Sequence, residues 1–159
     1  MPGSGKTVLG TVLAKRLRRK FIDVDKVIEA RELQPLGEVL KKHGPGGFLK
    51  VEARACVTIA AQGAIVAPGG SVILEPRAIR HFKRTGKLIY LRVGLRELRR
   101  RLGDLRQRGV VPTEGGLKGV YDLRRPLYEK HADAVVANWE RTKALRWLLR
   151  ISSRVWPSS

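Results

Sequence analysis

Gly3, Ser4, Gly5, Lys6 and Thr7 carry the closing positions of a phosphate-binding loop, G-x-x-x-x-G-K-[ST]. Glycines let backbone N–H groups approach phosphate oxygens, and a helix starting near Lys6 turns its positive end toward the same anion. Lys6 would reach the β- and γ-phosphates, and the Thr7 hydroxyl would ligate Mg2+. The pattern's first glycine would stand one place ahead of Met1. The alternative is a glycine-rich cap with a chance lysine. Val8, Leu9, Val12, Leu13 and Leu17 follow at helical spacing, however, and supply the helix a nucleotide loop requires.

Three further groups could do chemistry beside that loop. Asp23 and Asp25 end a strand-like run from Lys20, and where the chain curls at a strand's end both could line one crevice, one toward a metal and one toward a substrate hydroxyl. The competing reading makes an aspartate here the cap of a helix beginning at Lys26. Gly69 and Gly70 follow the apolar run Ala64–Ala67, where adjacent glycines allow backbone amides to approach a ligand; taken alone, a tight turn explains them better. The segment from Gly103 to Gly119 is glycine-rich yet basic at Arg106 and Arg108, the mark of a mobile lid.

The elements that must position these residues alternate. A first helix runs to about Arg19, with strands at 20–25, 64–67, 87–91 and 134–137. Helices are expected at 35–42, 48–61, 75–84, 94–102, 119–131 and 140–150, with a loop at 43–47 and a tail at 151–159 that carries no signal. Ala64–Ala67 is apolar without alternation, as suits a strand covered on both faces. Strands alternating with helices give an α/β domain over residues 1–150 with a parallel sheet and right-handed crossovers.

The totals agree with one such domain. The chain has 159 residues, 43% hydrophobic and 30% charged, enough for one core and too apolar for disorder. No apolar run is long enough to span a bilayer, and no charged-then-apolar leader opens the sequence. The single cysteine, Cys56, fits a reducing cytosol and, on an apolar helical face, reads as core packing. A net charge of +19 invites a nucleic-acid partner, but the basic residues are spread over several helices and are not interleaved with aromatic stacking platforms. Part of that charge would suit a site whose ligands are all anions.

Taken together and in order, several motifs resemble the shikimate kinase family over Met1 to about Val136. They are Pro2-Gly3-Ser4-Gly5-Lys6-Thr7, Phe21-Ile22-Asp23-Val24-Asp25 with Val27-Ile28-Glu29, Gly47-Phe48 with Glu52, Ala67-Pro68-Gly69-Gly70, and Arg124-Arg125-Pro126-Leu127-Tyr128-Glu129 with Ala132-Asp133. The resemblance implies a three-layer P-loop kinase, its five-stranded parallel sheet centred on the P-loop strand, with a lid at about 103–119. It implies ATP and Mg2+ as cofactors. Gly3, Ser4, Gly5, Lys6 and Thr7 would hold the phosphates, Thr7 and Asp23 the metal, and Arg101 the adenine. Asp25 would bind and deprotonate the acceptor hydroxyl, Gly69, Gly70 and Arg124 would bind the acceptor, and Arg108 would close on the transferring phosphoryl group.

Three positions depart from the family pattern. Leu49 stands where an arginine forms the second half of a carboxylate clamp, Ser71 where a third glycine is usual, and Gly109 where a proline follows the lid arginine. The first expectation is therefore ATP-dependent phosphorylation of shikimate to shikimate 3-phosphate by a cytoplasmic monomer. The alternatives are a kinase for another small hydroxylated metabolite and, behind both, an inactive nucleotide- or nucleic-acid-binding paralogue. The resemblance also places an apolar strand and a glycine just ahead of Met1, which would make Met1 an internal residue. Without that strand the centre of the sheet would be open and the chain poorly stable and weakly active.

Overall fold

The computed structural model describes residues 1–59, 62–102, 110–111 and 113–155. In chain order these form α1 (Lys6–Leu17), β1 (Lys20–Asp23), α2 (Val24–Glu32), α3 (Leu36–Val57), β2 (Ala64–Ala67), a 3-10 turn (Val72–Leu74), α4 (Pro76–Thr85), β3 (Ile89–Arg92), α5 (Leu95–Arg101), α6 (Gly116–His131), β4 (Ala134–Ala137) and α7 (Arg141–Val155). The alternation is that of an α/β fold.

Among the described residues, pairing is parallel and forms two ladders. β1 lies on β2 with Lys20 opposite Ala64 and Asp23 opposite Ala67, and β3 lies on β4 with Ile89 opposite Ala134 and Arg92 opposite Ala137. An apolar cleft of about 290 Å³, lined by Ile65 and Val66 of β2, Ile89 to Leu91 of β3, and Met1, Leu9 and Leu13, lies between the ladders. The resemblance puts the P-loop strand in the middle of the sheet, and it is in the middle that the four strands part. Met1 sits buried at this cleft. Burial, with Lys6 and Arg124 nearby, holds its amino group well below the usual range.

Local physics sets each element. α1 starts at Gly5, whose φ of 89° is left-handed, and ends at Arg18, whose left-handed N–H bonds back to the carbonyls of Ala14 and Lys15. Its buried stripe is Leu9, Gly10, Leu13 and Ala14. Val8 and Val12 are exposed, so the apolar face is rotated from the expected one. Gly10 is required by contact, since a Cβ there would lie 2.5 Å from the Phe21 ring of β1.

Several expected boundaries move for identifiable reasons. β1 stops at Asp23 because that residue, not Asp25, caps α2: its side chain accepts from the Asp25 N–H at 3.1 Å. The loop expected at 43–47 contracts to a kink in α3, where Gly44 alone leaves helical geometry and Pro45 follows it. α3 ends at Val57 rather than near 61, and α6 starts at Gly116, taking over the end of the expected lid. α7 continues to Val155, so helix extends into residues 151–155, where the sequence carries no signal. Ala144 and Leu148, buried with Leu9, Leu13 and Val136, tie α7 to α1 and β4, and Ile151 packed against that cluster with the buried Ser152 carries the helix past residue 150. Cys56 is buried in the core around α2, α3 and α4, and burial pushes its thiol far up, as expected of a packing residue.

Candidate active site

The carboxyl ends of the strands, the start of α1 and one face of α6 enclose a second cavity, of about 650 Å³. Its walls bring together Gly3, Gly5, Lys6, Thr7, Asp23, Asp25, Gly69, Gly70, Arg101 and Arg124. That is every sequence-predicted site residue except Ser4, which lies buried within the loop, and Arg108, which lies outside the described residues.

The phosphate-binding end is built almost wholly by one local turn. Gly3 and Gly5 both take positive φ, 67° and 89°, folding Met1 to Gly5 back over the helix start. The Ser4 hydroxyl donates to the Met1 carbonyl at 2.8 Å, and the Lys6 ammonium donates to the same oxygen at 2.9 Å. Burial lowers the Lys6 pKa from its ordinary value, against the opposing pull of Asp25, Asp23 and Glu52. Thr7 Oγ1 donates to Asp23 Oδ2 at 2.8 Å. A hydroxyl and a carboxylate oxygen in contact, all-oxygen and next to an anion-binding loop, are the donor set Mg2+ prefers.

The loop has a partner that sequence reasoning missed. Asn138, just past β4 and 1% exposed, donates from Nδ2 to the Ser4 carbonyl at 2.7 Å. Arg101 on α5 reaches the same place: Nε bonds Glu97 at 2.6 Å and Nη2 donates to the Asn138 carbonyl at 3.0 Å. The only available signal for Asn138 is its place at the carboxyl end of a strand, where ligands of open α/β sheets bind.

The opposite end draws on four separate elements. Asp25, from α2, has its carboxyl pushed up to about 6, chiefly by burial, with Lys6 opposing. Gly69 follows β2 and packs so closely that a Cβ on it would collide with the Glu52 carboxylate and stand 2.9 Å from Asp25 Oδ1. Gly70 lies against Pro2, and its carbonyl accepts from the Tyr128 hydroxyl. Arg124, from α6, is 1% exposed; Nη2 donates to the Val111 carbonyl at 3.2 Å, and Nε has no partner among the described residues. Glu52, on α3 and 2% exposed, accepts a short hydrogen bond from Ser71 and is pushed up to about 7, mainly by burial. The resemblance included Glu52 but gave it no role. Leu49 is half-buried against the core around α3 and does not line the cavity.

A parallel α/β scaffold with a glycine turn, lysine and threonine opening a helix, and with acidic, glycine and arginine side chains facing it across one cavity, defines a P-loop small-molecule kinase. The family model for shikimate kinase matches residues 2–151. A shikimate kinase of a Psychrobacter species is 34% identical over 138 residues, covering 84% of this chain and 77% of the relative. That of Dechloromonas aromatica is 33% identical over 159 residues, covering 96% and 87%. The structure of shikimate kinase from Acinetobacter baumannii in complex with shikimate superposes with a TM-score of 0.84 at 26% identity, covering 97% of this chain and 90% of that one. The chain belongs to the shikimate kinase family. It is accordingly a kinase that uses ATP, and its fold is the expected one.

Proposed function

We propose that the chain, as a single domain over residues 1–150, transfers the γ-phosphoryl group of ATP to a ring hydroxyl of shikimate. The observation that carries the reading is one cavity with a phosphate loop at one end and Asp25, Gly69 and Arg124 at the other. Lys6 neutralises charge on the phosphates, and Asp25 accepts the proton of the attacking hydroxyl. A carboxyl near 6 is mostly ionised at neutral pH and so can serve as that base. Arg124 meets the acceptor's carboxylate with a planar two-pronged donor. Mg2+, held between Thr7 and Asp23, would supply further neutralisation of phosphate charge. Arg101 would lie against the base of the nucleotide, and Arg108, outside the described residues, would act on the transferring group as the family resemblance implies. Reaction in the cytoplasm as a monomer follows from the same reading. No described helix is long and apolar enough to cross a membrane.

Leu49 and Ser71 favour a second reading, a kinase for another small hydroxylated acid, because Leu49 leaves Arg124 without a second arginine from α3. A coupled assay of ADP release across shikimate, other hydroxy acids and sugars separates the two. Turnover of shikimate above all others supports the first; turnover of another acceptor with none of shikimate overturns it.

A further inference from the structure

Glu52 is a buried acid with no task in the transfer just described. It projects from α3 one turn after Phe48, on the cavity wall. Four elements turn polar groups on it: Asp25 from α2, Lys6 from α1, Arg124 from α6, and Ser71 from the turn after β2. Two of these are cations, yet Glu52 forms no ion pair among the described residues. The Ser71 hydroxyl is its hydrogen-bond donor, and the Gly69 backbone lies against it, with Asp25 on the glycine's other flank. The carboxylate is thereby anchored on the glycine-turn side. Arg124 lines the same cavity and keeps an Nε without a partner among the described residues.

We propose that Ser71 is a positioning residue that holds Glu52 on the Gly69 side of the cavity and so keeps it from pairing with Arg124, leaving that guanidinium free for an anionic acceptor. The proposal rests on the acceptor reading given above. A buried carboxylate deprived of its hydrogen bond turns to the nearest available cation, because an unpaired charge in a low-dielectric site is costly. Once paired, Arg124 has little left to offer a ligand carboxylate. Ser71 thus acts through Glu52 and need not touch the acceptor.

The test uses the full chain at pH 8, above the value of about 7 for Glu52, so that the carboxylate form dominates. Ser71→Ala, Glu52→Gln and the double variant are compared with the wild type. Ser71→Ala is expected to raise the acceptor KM about tenfold and leave the ATP KM unchanged. Adding Glu52→Gln to Ser71→Ala is expected to restore the acceptor KM to that of Glu52→Gln alone, since a neutral amide does not neutralise Arg124. An unchanged acceptor KM in Ser71→Ala overturns the proposal. So does a double variant as impaired as Ser71→Ala, which would mean that Ser71 acts by another route.

A second readout needs no acceptor. The Arg124 Nε–H signal in 15N NMR spectra of the ligand-free protein, assigned with Arg124→Lys, should become protected from exchange in Ser71→Ala and return to wild-type exchange in the double variant. If Arg124 behaves in this way but shikimate is not bound, the choice of acceptor fails and the latch stands. If the Arg124 Nε–H exchanges equally in all variants, the latch fails whatever the acceptor.

Discussion

The two ends of the large cavity are made by different means. At the nucleotide end, residues 3–7 form the whole loop, two glycines with φ of 67° and 89° bend it, and hydrogen bonds to the Met1 and Ser4 carbonyls close it. At the acceptor end, Asp25, Glu52, Gly69 and Arg124 come from four elements spread over a hundred residues, and each is held by burial and by its neighbours. The loop is shaped mainly by its own backbone, with the Asn138 side chain from beyond β4 as a long-range tie. A site specified by packing can be retuned one residue at a time, and two of the three departures from the family pattern, Leu49 and Ser71, belong to acceptor positions.

The sharpest break in this comparison should come from Lys6→Ala. On the proposed reading it removes the loop's side-chain cation for the phosphates, and loss of such a preorganised group costs on the order of 10³-fold in rate. Acceptor binding measured by calorimetry should survive, because no acceptor contact is lost. A rate within tenfold of the wild type would mean that the backbone loop alone does the work.

At the other end Asp25→Asn should lower kcat on the order of 10²-fold, a typical loss for a general base, with MgATP affinity unchanged. In the wild-type enzyme kcat/KM should rise with pH through about 6, since the carboxyl must shed its proton to act. A profile flat from pH 5 to 8 would assign the base to another group. Arg124→Ala should act on binding instead. Losing a buried charge-assisted partner of a ligand carboxylate weakens acceptor affinity by roughly 30-fold or more while ATP affinity holds. Equal loss of both affinities would show that Arg124 supports the fold and not the acceptor.

The same division decides what the sequence could reveal. Gly3 to Thr7 are contiguous and chemically restricted, so the nucleotide end could be read directly, and all its described residues line the cavity or lie within the loop. The alternation of strands and helices was legible from apolar runs and breakers. The boundaries that moved have particular causes: α7 runs past residue 150 with Ile151 packed against the core, the 43–47 loop closes into a kink at Gly44, and Asp23 caps α2. The role of Asp23 as helix cap was seen for the pair but assigned to the wrong member, because a cap and a strand end differ by only two residues. Asn138 and the Ser71–Glu52 contact were not legible, since each joins positions well apart in sequence and the motifs that hold Glu52 and Ser71 do not say what those side chains touch.

The smallest effect is thermodynamic, and it concerns the stability cost of the two buried carboxyls, Asp25 and Glu52. Glu52 has an ordinary value of 4.5 and stands at about 7 in the folded protein; Asp25 moves from 3.8 to about 6. Both folded-state values are raised, so the native protein binds these protons more tightly than the unfolded chain does. Their stabilisation is full below about pH 4 and is lost as pH rises through 6 and 7. For Glu52 the displacement corresponds to on the order of 3 kcal/mol. Urea unfolding at pH 5 and pH 8 should therefore show these two carboxyls costing the wild type a few kcal/mol at the higher pH, offset in part by the buried Met1 amino group, whose lowered pKa acts in the opposite direction over the same window. Glu52→Gln cannot ionise and should remove much of that difference, whereas Lys6→Ala should leave most of it in place. An unfolding free energy that falls equally steeply in Glu52→Gln would mean that water or an uncounted partner already compensates the charge.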